Sequence, residues 1–132
     1  MVRKGLTPEA EALWLAGIGP RLVGAGGTLV AGRTWLRAQQ WHLRLYRGDM
    51  LLGLLTGGPS GLHCVVAAEF HSRWFSRKLA QEFLLWYFAR YSVLEARTWT
   101  PDAERLLLFL GARLKDGRYM MERKDVATAL AA

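Results

Sequence analysis

Apolar and polar residues follow a period of two in the middle of this chain. The apolar residues Trp41, Leu43 and Leu45 take every second position, which is typical of a strand with one buried face. A turn at residues 47–49, Arg-Gly-Asp, leads into a second apolar segment at residues 50–56. The sequence therefore predicts a β-hairpin.

The pattern changes after the glycine-rich loop that follows this hairpin. Residues 62–68 form an apolar run, which predicts a central strand with both faces buried. Residues 79–91 are apolar almost all round, so we expect a helix in a core or an interface. Residues 93–98 predict a strand parallel to the first, which completes a right-handed βαβ unit. Pro101 begins a further helix, and Gly111 ends it.

The N-terminal third is less regular. Thr7 and Pro8 predict a helix start, because threonine caps helices well and proline suits the first helical position. We expect the Gly-Ile-Gly-Pro segment at residues 17–20 to end this helix. The glycines of residues 17–32 predict a loop, with a short strand at residues 28–31.

The length of 132 residues fits one domain, and we expect it to span residues 1–132. Residues 1–34 are its least defined part. A last strand is predicted at residues 119–122, after an Asp-Gly turn, and residues 125–132 form a tail.

Composition and charge narrow the class of protein. Hydrophobic residues make up 52% and charged residues 22%, which is typical of a globular chain. No apolar run is long enough to span a bilayer. The net charge of +7 favours a polyanionic neighbour such as nucleic acid, an acidic protein surface or a phosphorylated cofactor. The single cysteine, Cys64, is expected to be a small buried residue and suggests a reducing compartment.

The succession of strand, basic turn, long helix, strand, helix and glycine over residues 61–118 resembles the core of the GCN5-related N-acetyltransferase (GNAT) family. The resemblance implies an α/β (α+β) fold with a central mixed β-sheet flanked by helices. It also implies that the turn before the long helix holds the pyrophosphate of acetyl-CoA.

Four residues of that turn are the candidate cofactor contacts: Arg73, Ser76, Arg77 and Lys78. Arg73 matches the family pattern, but Ser76 and Lys78 replace the two glycines that let backbone amides approach the diphosphate. The cations at this helix start would suit a phosphate, an acidic partner surface or solvent. No cofactor is expected to bind, and acetyl-CoA is the cofactor if the protein is active.

The residues expected to carry catalysis are also changed. The helix that begins near Pro101 aligns with the family phrase Asn-x-x-Ala-x-x-x-Tyr-x-x-x-Gly-Phe, and Leu107 stands where the resemblance implies a tyrosine acid. His63 and Glu69, at the two ends of the predicted central strand, are the candidate catalytic residues. The sequence contains no metal-ligand spacing, so no metal is expected.

Two aromatic residues in the basic turn, Trp74 and Phe75, are the candidate partner contacts, because aromatic residues and arginine are enriched at binding hot spots. The phrases Leu-His-Cys-Val-Val and Trp-Tyr-Phe-Ala, on either side of the turn, resemble GNAT-like proteins of tailed bacteriophages. That resemblance implies a structural or accessory protein in a virion or in the cytoplasm of the bacterial host.

Three functions stay open on this basis. The first is a non-catalytic protein that acts through a protein partner or through self-association. The second is an N-acetyltransferase that moves an acetyl group from acetyl-CoA to an amine. The third, nucleic-acid binding, depends on the charge alone.

Overall fold

A computed structural model describes residues 1–58, 61–67, 76–96, 104, 107–108 and 110–126. The chain divides into two compact units, Met1–Ser76 and Arg77–Ala132, and each is described by itself. The expectation of a single domain stays a prediction.

The first unit combines two helices with a four-stranded antiparallel sheet in the order β1-β2-β3-β4. Its elements, in chain order, are β1 (Val2–Lys4), α1 (Pro8–Gly24), α2 (Leu29–Arg37), β2 (Trp41–Arg47), β3 (Met50–Gly58) and β4 (Gly61–Val66).

The predicted hairpin is the centre of this sheet. β2 and β3 pair antiparallel from Trp41 opposite Gly57 to Arg47 opposite Met50. Gly48 has a positive φ of 59° in the turn between them, a conformation that glycine adopts easily. The alternating residues Trp41, Leu43 and Leu45 are all buried, so the predicted buried face is confirmed. β1, which the sequence did not predict, extends the sheet beside β2.

The prediction for the N-terminal helices was partly wrong. Thr7 caps α1 as expected, since its hydroxyl accepts a hydrogen bond from the Ala10 amide at 3.2 Å. However, α1 continues through residues 17–20 to Gly24. A Cβ atom at Gly17 would lie 2.6 Å from Cγ1 of Val65, so this glycine allows α1 to lie close to β4.

The second helix replaces the predicted loop and short strand. The hydroxyl of Thr28 caps α2 by accepting a hydrogen bond from the Ala31 amide at 3.1 Å. Gly32 is buried, and a Cβ atom there would overlap Cδ1 of Leu22 and make ordinary contact with Trp14. Gly32 therefore allows α2 to pack closely against α1. A hydrophobic cluster joins both helices to the sheet: Ala10, Trp14, Leu36, Tyr46, Leu51 and Leu54.

The second unit has α3 (Arg77–Phe88) and a three-stranded antiparallel sheet in the order β5-β7-β6. Its strands are β5 (Val93–Ala96), β6 (Arg113–Lys115) and β7 (Arg118–Glu122), and a 3-10 turn, Arg123–Asp125, follows them. The predicted parallel pairing of β4 with β5 would join the two units and stays a prediction.

The turns of the second unit follow the sequence signals. Asp116 and Gly117 connect β6 to β7 with positive φ angles of 52° and 76°, so the predicted turn is confirmed. Gly111 has a φ of 96° after the helical residues that precede it, and the Ala112 amide donates to the Leu107 carbonyl at 3.0 Å. Gly111 therefore ends a helix as predicted. β6 was missed, because its three residues are all exposed and carry no alternating pattern.

Candidate functional site

The candidate residues run along the sequence from His63 in β4 to Lys78 at the start of α3. Glu69, Arg73, Trp74 and Phe75 lie outside the described residues. The roles predicted for these four residues stay predictions. The structure does describe His63, Ser76 and Lys78, and it describes the backbone of Arg77.

The start of α3 combines a helix N-terminus with cations. Arg77 is the first helical residue, Ser76 and Lys78 on either side of it are exposed, and the first turn contains no acidic residue. The N-terminal end of a helix carries a partial positive charge, so cations there lie against the helix dipole. This arrangement can attract an anion.

The same residues do not fit the backbone cradle that a diphosphate needs. A glycine cradle works because main-chain amides can approach the phosphate oxygens without intervening side chains. Here Ser76 and Lys78 bring side chains to both of those positions. Contact with an anion at this helix start would therefore be made by flexible side chains instead of a preformed backbone nest.

His63 is held in an aromatic environment. It pairs with Thr56 across the sheet, and Thr56 pairs in turn with His42, so the three side chains share one face. The ring of Trp35 on α2 meets the half-buried imidazole of His63 edge-on, with centroids 4.9 Å apart. The structure thus places His63 against α2 of the first unit.

A stack of two tryptophans extends from this histidine into the core. Trp35 stacks on Trp14 with ring centroids 5.6 Å apart. The indole N–H of Trp14 is buried and has no hydrogen-bond acceptor among the described residues. An unsatisfied buried donor costs free energy. The stability of this cluster therefore comes from apolar contact.

The position expected for a tyrosine acid is apolar and buried. Leu107 is only 6% exposed, and Leu110 and Ala112 are buried beside it in the sequence. A leucine has no proton to donate, and its burial suits a core position. This supports the interpretation that the helix before Gly111 keeps its structural residues.

The sequence analysis did not identify Tyr119, a titratable residue of the second unit. Tyr119 on β7 is buried, and burial together with a hydrogen bond to Glu104 raises the pKa of its phenol above the ordinary value. The raised pKa keeps the hydroxyl protonated, so it acts as a hydrogen-bond donor. The sequence offered only an alternating strand pattern here, and the contact with Glu104 requires the tertiary fold.

Cys64 lies within β4, as its apolar surroundings in the sequence predicted. Its surface is accessible, yet burial raises the pKa of its thiol to about 12, so its expected burial stays a prediction.

The described parts of the chain contain no group of three or more histidine, cysteine, aspartate or glutamate side chains that could hold a metal ion. None of the helices described is both long and apolar enough to cross a membrane.

Comparison with known proteins finds one solved structure with a similar fold. No family model matches the sequence, and no curated protein matches it. Among solved structures, the crystal structure of an acetyltransferase from Thermus thermophilus is similar, with a TM-score of 0.60 and 15% identity. The match covers 92% of this chain and 97% of that one. The chain therefore has the α/β fold that its sequence predicted, and that fold is similar to the fold of this acetyltransferase.

Proposed function

We propose that this chain is a non-catalytic protein with the acetyltransferase fold, which acts through protein–protein contacts as a structural or accessory component of a bacteriophage virion. The observation that carries the non-catalytic part is the start of α3, where Ser76 and Lys78 present side chains in place of glycines. The buried Leu107 supports it, because no acid stands at that position.

The role in protein contacts is supported by the residue types in the turn. Trp74 and Phe75 stand among cations, and such aromatic residues are typical anchors of protein interfaces. Co-purification measures the contribution of Trp74 to partner binding, and we expect Trp74→Ala to lose partners that the wild type retains. A Trp74→Ala protein that retains every partner of the wild type would argue against Trp74 as an anchor. The placement in a phage virion depends only on the sequence resemblance to phage proteins.

An active N-acetyltransferase is the second candidate. The similar fold of an acetyltransferase favours it, as does the cationic start of α3, which has no acidic residue in its first turn. His63 and Glu69 would then be the residues to examine for acid–base catalysis.

Binding of acetyl-CoA separates the two candidates. A ligand held at 100 times its Kd would stabilise the protein by about 2.7 kcal/mol, which is easily seen as a rise in melting temperature. We expect no such rise for the wild type in about 1 mM acetyl-CoA. Isothermal titration calorimetry that detects tight binding by the wild type would refute the proposal and favour the enzyme.

A matched variant tests whether the side chains of Ser76 and Lys78 prevent the binding of acetyl-CoA. In Ser76→Gly/Lys78→Gly both positions regain the glycines that the family pattern carries, and we expect measurable binding of acetyl-CoA in calorimetry. If this double variant also fails to bind, Ser76 and Lys78 are not what prevents binding, and the non-catalytic proposal loses the observation that carries it.

A further inference from the structure

One side of α3 stays open to solvent although it carries apolar residues. The buried side contains Leu79, Ala80, Phe83, Leu84, Tyr87 and Phe88. On the other side, five residues spaced as i, i+3, i+4, i+7 and i+8 follow one line along the helix and the turn after it. We name this line the α3 stripe: Glu82, Leu85, Trp86, Ala89 and Arg90.

The middle of the α3 stripe is apolar and accessible. The side chain of Leu85 is 59% exposed, which is high for a leucine on a helix. Ala89 is exposed one turn later, and Trp86 between them is partly buried. An exposed apolar surface bordered by charged residues is typical of a protein contact.

Arg90 is held in a fixed position over this surface. Its guanidinium carbon lies 4.6 Å from the centroid of the Trp86 ring, and its Nη1 donates a hydrogen bond to the Trp86 carbonyl at 2.9 Å. The cation–π contact and the hydrogen bond reduce the freedom of the side chain before any partner arrives. Ordering in advance lowers the entropic cost of binding.

The α3 stripe carries a negative charge, Glu82, at one end and a positive charge, Arg90, at the other, so the stripes of two copies can pair in opposite directions. Trp86 lies midway between Glu82 and Arg90, four residues from each. A second copy of α3 that packs antiparallel about a two-fold axis at Trp86 would place Glu82 of each copy opposite Arg90 of the other. In a two-fold interface each contact occurs twice in this reciprocal way. The same arrangement brings the Leu85 and Ala89 side chains of both copies together.

We infer that the α3 stripe is a homodimer interface between two copies of this chain. Five residues a side form a small contact, and interfaces that bury less than about 1,200 Å² in total are usually weak. The dimer should therefore depend strongly on protein concentration. The inference rests on the proposed role in protein–protein contacts, and it names a second copy as one such partner.

Sedimentation equilibrium of the whole chain, from about 10 μM to about 500 μM, measures this association. We expect the wild type to pass from monomer to dimer over that range. Leu85→Glu should weaken the dimer by about tenfold or more, because it places a charge in the apolar centre. Arg90→Glu should do the same, since it brings like charges together.

The decisive comparison is between the single variant Arg90→Glu and a double variant in which residues 82 and 90 exchange their charges. In Glu82→Arg/Arg90→Glu the two charges swap places and the reciprocal pairing is restored, so dimerisation should recover to within about threefold of the wild type. The matched control is Leu114→Glu, which changes a leucine that is 62% exposed on β6 of the same unit, and it should dimerise like the wild type. Circular dichroism confirms that each variant is folded.

Three results overturn the inference: a monomer at every concentration, a dimer that Leu85→Glu leaves unchanged, or a double exchange as weak as Arg90→Glu alone. None of these measurements uses a cofactor. Failure of the dimer together with absent acetyl-CoA binding would therefore remove this inference alone. Tight acetyl-CoA binding would remove the proposed function and leave the measured dimer as it is.

Discussion

At the scale of single residues, Glu11 is held by two arginines in the first unit. Its carboxylate accepts two hydrogen bonds from Arg37, at 2.9 Å and 3.0 Å, and forms an ion pair with Arg33 at 2.7 Å. Only 12% of its side chain is exposed. A bidentate arginine–carboxylate contact is stronger and more specific than a single hydrogen bond. Glu11 therefore fixes α1 against α2.

The pKa of Glu11 predicts how this contact responds to acid. The hydrogen bonds from Arg37 lower the pKa of Glu11 below its ordinary value, against the opposing effect of burial. A carboxylate with a lowered folded pKa stabilises the protein fully above its unfolded pKa and loses that contribution as the pH falls through the folded pKa. The stabilising effect of Glu11 should therefore be constant near neutral pH and disappear in acid.

Glu11→Gln tests this prediction. Thermal unfolding should show a wild type that is more stable than the variant at about pH 7, with a melting temperature higher by roughly a few degrees. The difference should narrow as the pH falls below about 4.5. Glu9→Gln is the control, since it removes a carboxylate from the same turn of α1. A Glu11 effect that stays constant down to about pH 3 would contradict the assignment.

At the scale of elements, Gly57 allows close packing within the β2–β3 hairpin. Gly57 lies opposite Trp41, and a Cβ atom at Gly57 would overlap the indole ring of that tryptophan. The ring is only 7% exposed and packed against this part of the sheet. A methyl group at position 57 would force the ring or the strand to move.

We expect Gly57→Ala to lower the free energy of unfolding by about 1–3 kcal/mol, the usual cost of overpacking a core. Gly24→Ala is the matched control, because a Cβ atom at Gly24 meets nothing within 4 Å. That change should leave stability unchanged or raise it by up to about 1 kcal/mol. Chemical denaturation measures both, and equal effects of the two changes would argue against the packing explanation.

The elements differ in how well the sequence predicted them. The hairpin was predictable, because an alternating pattern and a Gly-Asp turn are local signals. The helix α2 was not, because six glycines between residues 17 and 32 have the composition of a loop. Gly17 and Gly32 are needed for close contact with Val65 and Leu22, and these partners become neighbours only in the tertiary fold.

At the scale of the whole molecule, the order of strands and helices predicted the fold, and the similar acetyltransferase structure confirms it. The candidate site was less predictable. The sequence singled out the start of α3 as a candidate site, which stays a prediction, and it could not show that His63 packs against Trp35. It also missed the contact of Glu11 with Arg33 and Arg37, because both arginines lie on the unpredicted helix.

Pro20 inside α1 has a consequence for the distribution of stability. Proline lacks an amide hydrogen, so the helix loses the bond that would reach the carbonyl of Ala16. The part before this gap is held by the buried Ala10 and Trp14, whereas Ala16, Gly17 and most residues from Pro20 onward are exposed.

Local opening of the last turn of α1 therefore need not disturb the first turns. Native-state hydrogen exchange should show this as much weaker protection of the amides at residues 21–24 than of those at residues 12–16. Equal protection along α1 would mean that the helix opens as one unit despite the proline. Unequal protection would mean that the end of α1 and the connection to α2, residues 25–28, can change conformation at little cost in free energy while the core of the first unit stays folded.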